Sequence, residues 1–152
     1  MKMIKDDNYY MKCALKEAKK AYLEGEIPVG CVIVLDNKII ARAHNKREKL
    51  QLSTAHAEVL AINKACKKIG SWRLNDCKIY VTLEPCCMCA GAIIQSRIPS
   101  LIYGVRDYRF GAHISLINLF DTKFNHSVKV TSGVLEDECS NIIKNFFKEL
   151  RK

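Results

Sequence analysis

Three of the chain's eight cysteines are packed into Pro85-Cys86-Cys87-Met88-Cys89, and this cluster constrains the fold more than any other feature. Thirty positions before Cys86 stands His56, followed by Glu58, in the run Thr54-Ala55-His56-Ala57-Glu58. A lone Cys-x-x-Cys serves redox pairs and structural half-sites alike, and a lone His near a helix start is usually structural. Together they demand a chain that brings two separate helix starts to one point. Cys86 and Cys89, three apart where a helix begins, turn both sulfurs to one face. The helix N-terminus favours the thiolate, which is the form that binds metal. His56 supplies a third donor. Three protein donors leave a fourth tetrahedral position for water, the pattern of a catalytic rather than a closed structural zinc site. His56, Cys86 and Cys89 are therefore the candidate zinc ligands.

Glu58 does not suit a closed structural site, which uses Cys and His. A carboxylate beside an activated water is placed to take its proton and pass it on, so Glu58 is the candidate general acid/base. It is also a favourable first-turn acid on its own helix. Cys87 projects away from its neighbours and is predicted not to be a ligand. The remaining cysteines, at 13, 31, 66, 77 and 139, stand singly in mostly apolar stretches. They are expected to be reduced and buried, behaving as small hydrophobes.

The rest of the chain reads as one domain over residues 1–152. Hydrophobic residues make up 49% and charged residues 27%, which excludes intrinsic disorder. No run reaches the ~18 apolar residues of a membrane span, and the N-terminus becomes charged before a signal core can form. A cytoplasmic protein without a membrane partner is expected. The net charge of +9 suits an anionic partner, nucleic acid above all, but a lysine-rich composition alone would also produce it.

Helices and strands alternate, which points to an α/β fold. Asp6 or Asp7 can cap a first helix carrying Met11, Ala14, Leu15, Ala18 and Tyr22 on one face, with Gly25 at its end. Residues 29–35 and 39–43 form a predicted hairpin around Asp36-Asn37-Lys38. A second helix is expected over 56–69, opened by Ser53 or Thr54 and closed by Gly70. Further strands are expected at 79–83, 101–105 and 128–134, a short helix at 87–96, and a last helix bearing Ile142, Ile143, Phe146, Phe147 and Leu150. Residues 106–115 and 121–127 read as loops, and loops on a rigid scaffold often carry recognition.

These residues closely resemble the bacterial tRNA adenosine deaminases of the zinc-dependent cytidine deaminase-like superfamily, whose H-x-E…P-C-x-x-C signature the chain carries. The likeness extends over Glu26-Ile-Pro-Val-Gly30, Asn45, Thr54–Glu58, Tyr80–Ala92, Ser96–Ile98, Gly104–Asp107, Asn125-His126, Gly133–Leu135, Asp137–Cys139 and Phe146-Phe147. The resemblance implies a three-layer sandwich, a five-stranded mixed sheet flanked by helices, assembled as a homodimer with one zinc ion per subunit. It implies hydrolytic conversion of the wobble adenosine of a tRNA anticodon loop to inosine, with Glu58 moving the proton. By the same likeness Asn45 binds the target nucleoside, and Val29, Ala57 and Pro85 line the base pocket. Asp107 and Arg109 contact neighbouring nucleotides, with Asn125 and Phe147 as further candidates for anticodon contact. Gly111-Ala-His113-Ile-Ser115 departs from the family's small, Gly-rich run.

The cationic and aromatic residues Arg106, Tyr108, Arg109 and Phe110 suit stacking and phosphate contact, although Tyr108 and Phe110 could equally pack into a core or a dimer. Two alternatives stand beside this reading. One is a zinc deaminase of a free base or nucleotide such as guanine. The other is a catalytically silent, zinc-stabilised RNA-binding module, which would have no need of Glu58.

Overall fold

The computed structural model describes residues 4–152. Helix α1, Asp7–Leu23, begins where the Asp6 carboxylate accepts the Tyr9 N–H at 2.9 Å, a side-chain N-cap. Its buried face is Met11, Ala14, Ala18 and Ala21. Strands β1, Gly30–Leu35, and β2, Lys38–His44, form the expected hairpin. Asp36 and Asn37 both take positive φ, 50° and 63°, which a two-residue hairpin turn requires. Then follow α2, Arg47–Leu50, α3, Ala57–Ile69, β3, Lys78–Leu83, α4, Cys87–Gln95, and β4, Ser100–Val105. A 3-10 turn at Leu119–Asp121 leads to β5, Lys129–Thr131, and α5, Glu136–Leu150, completes the chain.

The five strands lie in the order β2-β1-β3-β4-β5. β1 runs antiparallel to β2 and β3, whereas β3, β4 and β5 are mutually parallel, so the sheet is mixed. Alternation along the strands sorts the core into two halves. Ile33, Ile79, Val81, Leu101 and Tyr103 pack with Ala57, Ala61 and Ala65 of α3 and Ile93 of α4. Val32, Val34, Tyr80 and Ile102 pack on the other face, with Met11 and Ala14 of α1 and Cys139 of α5. The result is a three-layer α/β/α sandwich, as the resemblance implied. Gly30 lets α1 approach β1: a Cβ there would overlap the Ala14 carbonyl and the Ala18 nitrogen.

Four details differ from the sequence expectations. The residue at the N-cap of α3 is His56, not Ser53 or Thr54, and its side chain makes no capping bond. Its ring is turned instead toward two sulfurs, as described below. β5 covers three residues rather than 128–134, because Gly133 and Val134 leave the ladder and bond the Gly104 and Tyr103 carbonyls. The four-residue α2 has no apolar periodicity and was not expected. Cys66 is half-buried at the end of α3, its sulfur 3.9 Å from the Trp72 carbonyl, whereas Cys13, Cys31, Cys77 and Cys139 are buried. Among the described residues no helix is long and apolar enough to cross a membrane.

Candidate metal centre and the loops around it

Parallel strands leave their carboxyl-end connections at one edge of a sheet, and ligand sites gather there. β3 ends at Leu83, Glu84 and Pro85 carry the chain over the edge, and Cys86 is the N-cap of α4. Cys86 keeps an extended backbone, and Cys89 lies in the first helical turn. α3, packed beside α4 on the same face, presents His56 from its own N-cap. Two helix starts thus converge. His56 Nδ1 lies 3.7 Å from Cys86 Sγ and 3.5 Å from Cys89 Sγ, and the three donor atoms all fall within 4.8 Å of one another. Tetrahedral zinc ligands at ~2.0–2.3 Å from the metal stand about 3.6 Å apart, so this His/Cys/Cys cluster fits a zinc site in both spacing and donor chemistry.

The charges agree with that fit. The Cys86 thiol is pushed down to about 4, first by its hydrogen bond with Cys89 and then by His56, against the opposing effect of burial. Cys89 moves strongly the other way, since its bond to Cys86 and its burial keep the proton on it. Of the two sulfurs, Cys86 is thus the one whose ionisation is favoured. His56 is raised through the same contact with Cys86. Glu58, in the first turn of α3, is 4% exposed, and burial pushes its carboxyl up to about 7. A carboxyl poised near neutrality beside a metal cradle is able both to accept and to return a proton. Cys87 is exposed and stands outside the cluster.

Backbone bonds tie the segment after β2 to the chain leading into His56. The Asn45 N–H donates to the Val29 carbonyl at 3.0 Å, and the Lys46 N–H to the Ala55 carbonyl at 3.0 Å, next to His56 and the buried Ala57. The Asn45 side chain donates to the Ile27 carbonyl at 3.2 Å and accepts the Arg47 N–H at 3.1 Å. An amide has two N–H donors and two acceptor positions, so one of each remains for a ligand. Behind it, His44 bridges Glu17 at 3.3 Å and Glu24 at 3.0 Å, tying β2 to α1.

On the other side of β3 from β1 lies the connection after β4. Asp107 Oδ1 accepts the Arg109 and Phe110 N–H groups at 3.0 and 3.3 Å, so this carboxylate builds the turn it sits in. The Arg109 guanidinium lies 5.4 Å from the centre of the half-buried Phe147 ring, and Arg106 lies 4.9 Å from that of Tyr108. Tyr108 and Phe110 are 68% and 67% exposed, so within the chain they are not core residues. His113 turns inward, its Nδ1 2.7 Å from the Tyr103 hydroxyl, and burial lowers its pKa. Asn125 does not join this group. It is exposed beside His126, whose Nε2 meets the Ile98 carbonyl at 2.8 Å, at the beginning of β4 and the far end from the metal cluster.

Two residues of the site region carried no assigned role in the sequence: Glu26 and Glu84, 1% and 2% exposed. Glu26 accepts the Glu48 and Lys49 N–H groups at 3.0 and 2.8 Å and so anchors α2 next to Asn45. Glu84 sits directly beneath the 106–115 loop. The available signal was an acidic residue adjoining an apolar strand and a proline, since carboxylates are almost never fully buried without partners.

A family model described as MafB19-like deaminase matches residues 5–151. A tRNA-specific adenosine deaminase of Bacillus subtilis (strain 168) is 53% identical over 147 residues, spanning 96% of this chain and 91% of that protein. Among solved structures, one from a study of A-to-I editing by tRNA:A34 deaminases at the wobble position of transfer RNA superposes with a TM-score of 0.86 at 43% identity, covering 88% of this chain and 98% of the other. A guanine deaminase from Nitrosomonas europaea superposes with a TM-score of 0.83 over 95% of this chain and 86% of its own, but at 22% identity it shares the fold alone.

Proposed function

The chain belongs to the MafB19-like deaminase family and, within it, to the tRNA-specific adenosine deaminases, and from that premise we propose that it hydrolyses the wobble adenosine of a tRNA anticodon loop to inosine and ammonia. The observation that carries this proposal is the His56–Cys86–Cys89 cluster with the buried Glu58 beside it, in a chain so similar to tRNA deaminases. His56, Cys86 and Cys89 would hold one zinc ion per subunit, which when bound supplies Lewis-acid activation of a water molecule. Glu58 would take a proton from the attacking water and hand it to the adenine ring nitrogen, then take the proton of the new C6 hydroxyl and give it to the amino group, which leaves as ammonia. Its pKa near 7 suits both directions of transfer. Ala57 and Pro85 are buried, which keeps bulk water from that side of the metal cluster.

Asn45 holds the target nucleoside with the donor and acceptor left free by its internal bonds, and Val29, Ala57 and Pro85 line the pocket. Asp107, through the turn it builds, and Arg109 with Phe147 present the adjoining loop to the flanking nucleotides. Unstacked loop bases are the usual targets of RNA specificity, and exposed aromatic and cationic groups beside the site suit them. The excess of positive charge supports an RNA partner. Asn125, exposed on the segment before β5, stays a candidate for anticodon contact away from the metal cluster. Exposed apolar side chains at Ile114, Leu116, Ile117 and Phe124 support a homodimer, and a tRNA substrate supports a cytoplasmic location.

The deciding experiment incubates the zinc-loaded protein with unmodified tRNA carrying a wobble adenosine and sequences the product for A-to-I conversion. Parallel ammonia assays use guanine, cytosine and their nucleosides. Inosine at the wobble position is the expected result. Robust free-guanine turnover with unedited tRNA would overturn it, and so would RNA binding with no turnover of any substrate. Light scattering on the purified protein tests the dimer.

A further inference from the structure

The carboxylate of Glu84 is occupied entirely by one loop. Its Oε1 accepts the Asp107 N–H at 3.0 Å and the Ser115 hydroxyl, and its Oε2 accepts the N–H groups of His113, Ile114 and Ser115 at 2.9, 3.0 and 3.2 Å. Three successive N–H groups aimed at one oxygen form an anion-binding concavity, here filled by the protein's own side chain. The packing is tight as well as polar. A Cβ at Gly111 would collide with the Glu84 carboxyl carbon, so only glycine lets the loop close over it. The Ala112 N–H donates to the Pro85 carbonyl at 2.9 Å, and Arg106 Nε to the Ser115 hydroxyl at 3.2 Å. The loop's backbone is thereby drawn inward, while Tyr108, Arg109 and Phe110 stand outward and exposed. Pro85 and Cys86 follow Glu84 directly, so one short segment carries both a metal-ligand candidate and the anchor of the loop.

We propose that Glu84 is a positioning residue for substrate recognition: it pre-orders the 106–115 loop so that its exposed aromatic and cationic groups meet the RNA next to the metal site. This rests on the tRNA deaminase function proposed above. A loop held in its bound shape pays its ordering cost at folding, and a freed loop pays it when RNA binds. Glu84 therefore acts on substrate affinity more than on the chemical step.

Glu84→Gln removes the charge and turns an amide N–H₂ toward groups that are themselves donors. The zinc-to-protein ratio, hydrogen exchange of residues 107–115, the dissociation constant of a fluorescently labelled anticodon stem-loop RNA, and kcat and KM on the same RNA are measured together. The expected result is unchanged zinc, lost protection at 113–115, and affinity and KM weakened about tenfold or more, with kcat changed less than about threefold. A fall in kcat at constant KM, or unchanged affinity despite a deprotected loop, would overturn the proposal. Ser115→Ala removes only the hydroxyl that donates to Glu84 and accepts from Arg106, keeps the backbone bonds to Glu84, and serves if Glu84→Gln does not fold. It should weaken RNA binding about threefold, Ser115→Thr should restore it, and unchanged affinity in Ser115→Ala would overturn the proposal too. Because binding is read apart from turnover, the outcomes remain distinct. A wild-type protein that edits no tRNA but loses stem-loop affinity on Glu84→Gln refutes the function and keeps the loop anchor.

Discussion

The metal cradle and the 106–115 loop meet at Pro85, yet they are built by opposite means. His56, Cys86 and Cys89 are held by regular structure: two helix starts, α3 and α4, packed on the same face of the sheet. Their spacing follows from helix geometry and would survive many changes elsewhere. The loop has no regular ladder of its own. Its backbone donors converge on one buried carboxylate from a neighbouring connection, and its outward side chains rest on single contacts such as Arg109 on Phe147. Under the proposed function, chemistry sits on a rigid frame and recognition on a segment whose order depends on few residues. The two can be changed separately, as is generally true of functional loops on stable scaffolds.

That separation makes ranked predictions. The largest effect belongs to the cradle: Cys86→Ala should abolish zinc binding and activity together, read by metal analysis and by the editing assay. Retained stoichiometric zinc would break the assignment. Glu58→Ala should keep zinc and fold but lower kcat by about 10²–10⁴-fold, the range typical of a lost general acid/base. Near-normal turnover in that variant would remove Glu58 from the mechanism. On the loop, Arg109→Ala should raise KM for the anticodon stem-loop about threefold to tenfold with zinc intact, since one cation–aromatic contact and one charge are lost. An equal loss in kcat alone would mean that loop and chemistry are not separable.

The scaffold behind Asn45 offers a smaller, pH-dependent test. Burial opposes ionisation of Glu17, but hydrogen bonds from Lys20 and His44 outweigh it and hold the carboxyl below its ordinary 4.5. A depressed folded-state pKa stabilises the protein fully above the unfolded value and is lost as pH falls through the folded value. Thermal stability should therefore drop on acidification below about 4.5, and Glu17→Gln should flatten that drop. The smallest effect is expected at Cys87→Ser, where an exposed thiol outside the cluster should leave zinc content and kcat unchanged.

How much was legible in the sequence follows the same division. The α1 cap at Asp6, the apolar face of α1, the hairpin at Asp36-Asn37 and the start of α4 at Cys86 all depend on neighbours within a few residues, and each was readable. The likeness to known deaminases added the assembly of those parts. What misled was also local. Ser53 and Thr54 are good capping residues, but His56 takes the N-cap because its ring is held by sulfurs from another helix. β5 shortened because Gly133 and Val134 find partners on β4.

The amino-acid sequence by itself determined the donor set, the acid/base candidate and the alternation of helices and strands, since short-range spacing and side-chain chemistry govern those. Only the tertiary structure decided what the buried carboxylates do. Glu26 is satisfied by N–H groups 22 and 23 residues away, and Glu84 by groups 23 to 31 residues away, so no local pattern announces either. Tertiary placement also put Asn125 on an exposed segment near the start of β4, away from the His56–Cys86–Cys89 cluster. A buried charge must be met by whatever the folded chain brings to it, and that depends on long-range packing.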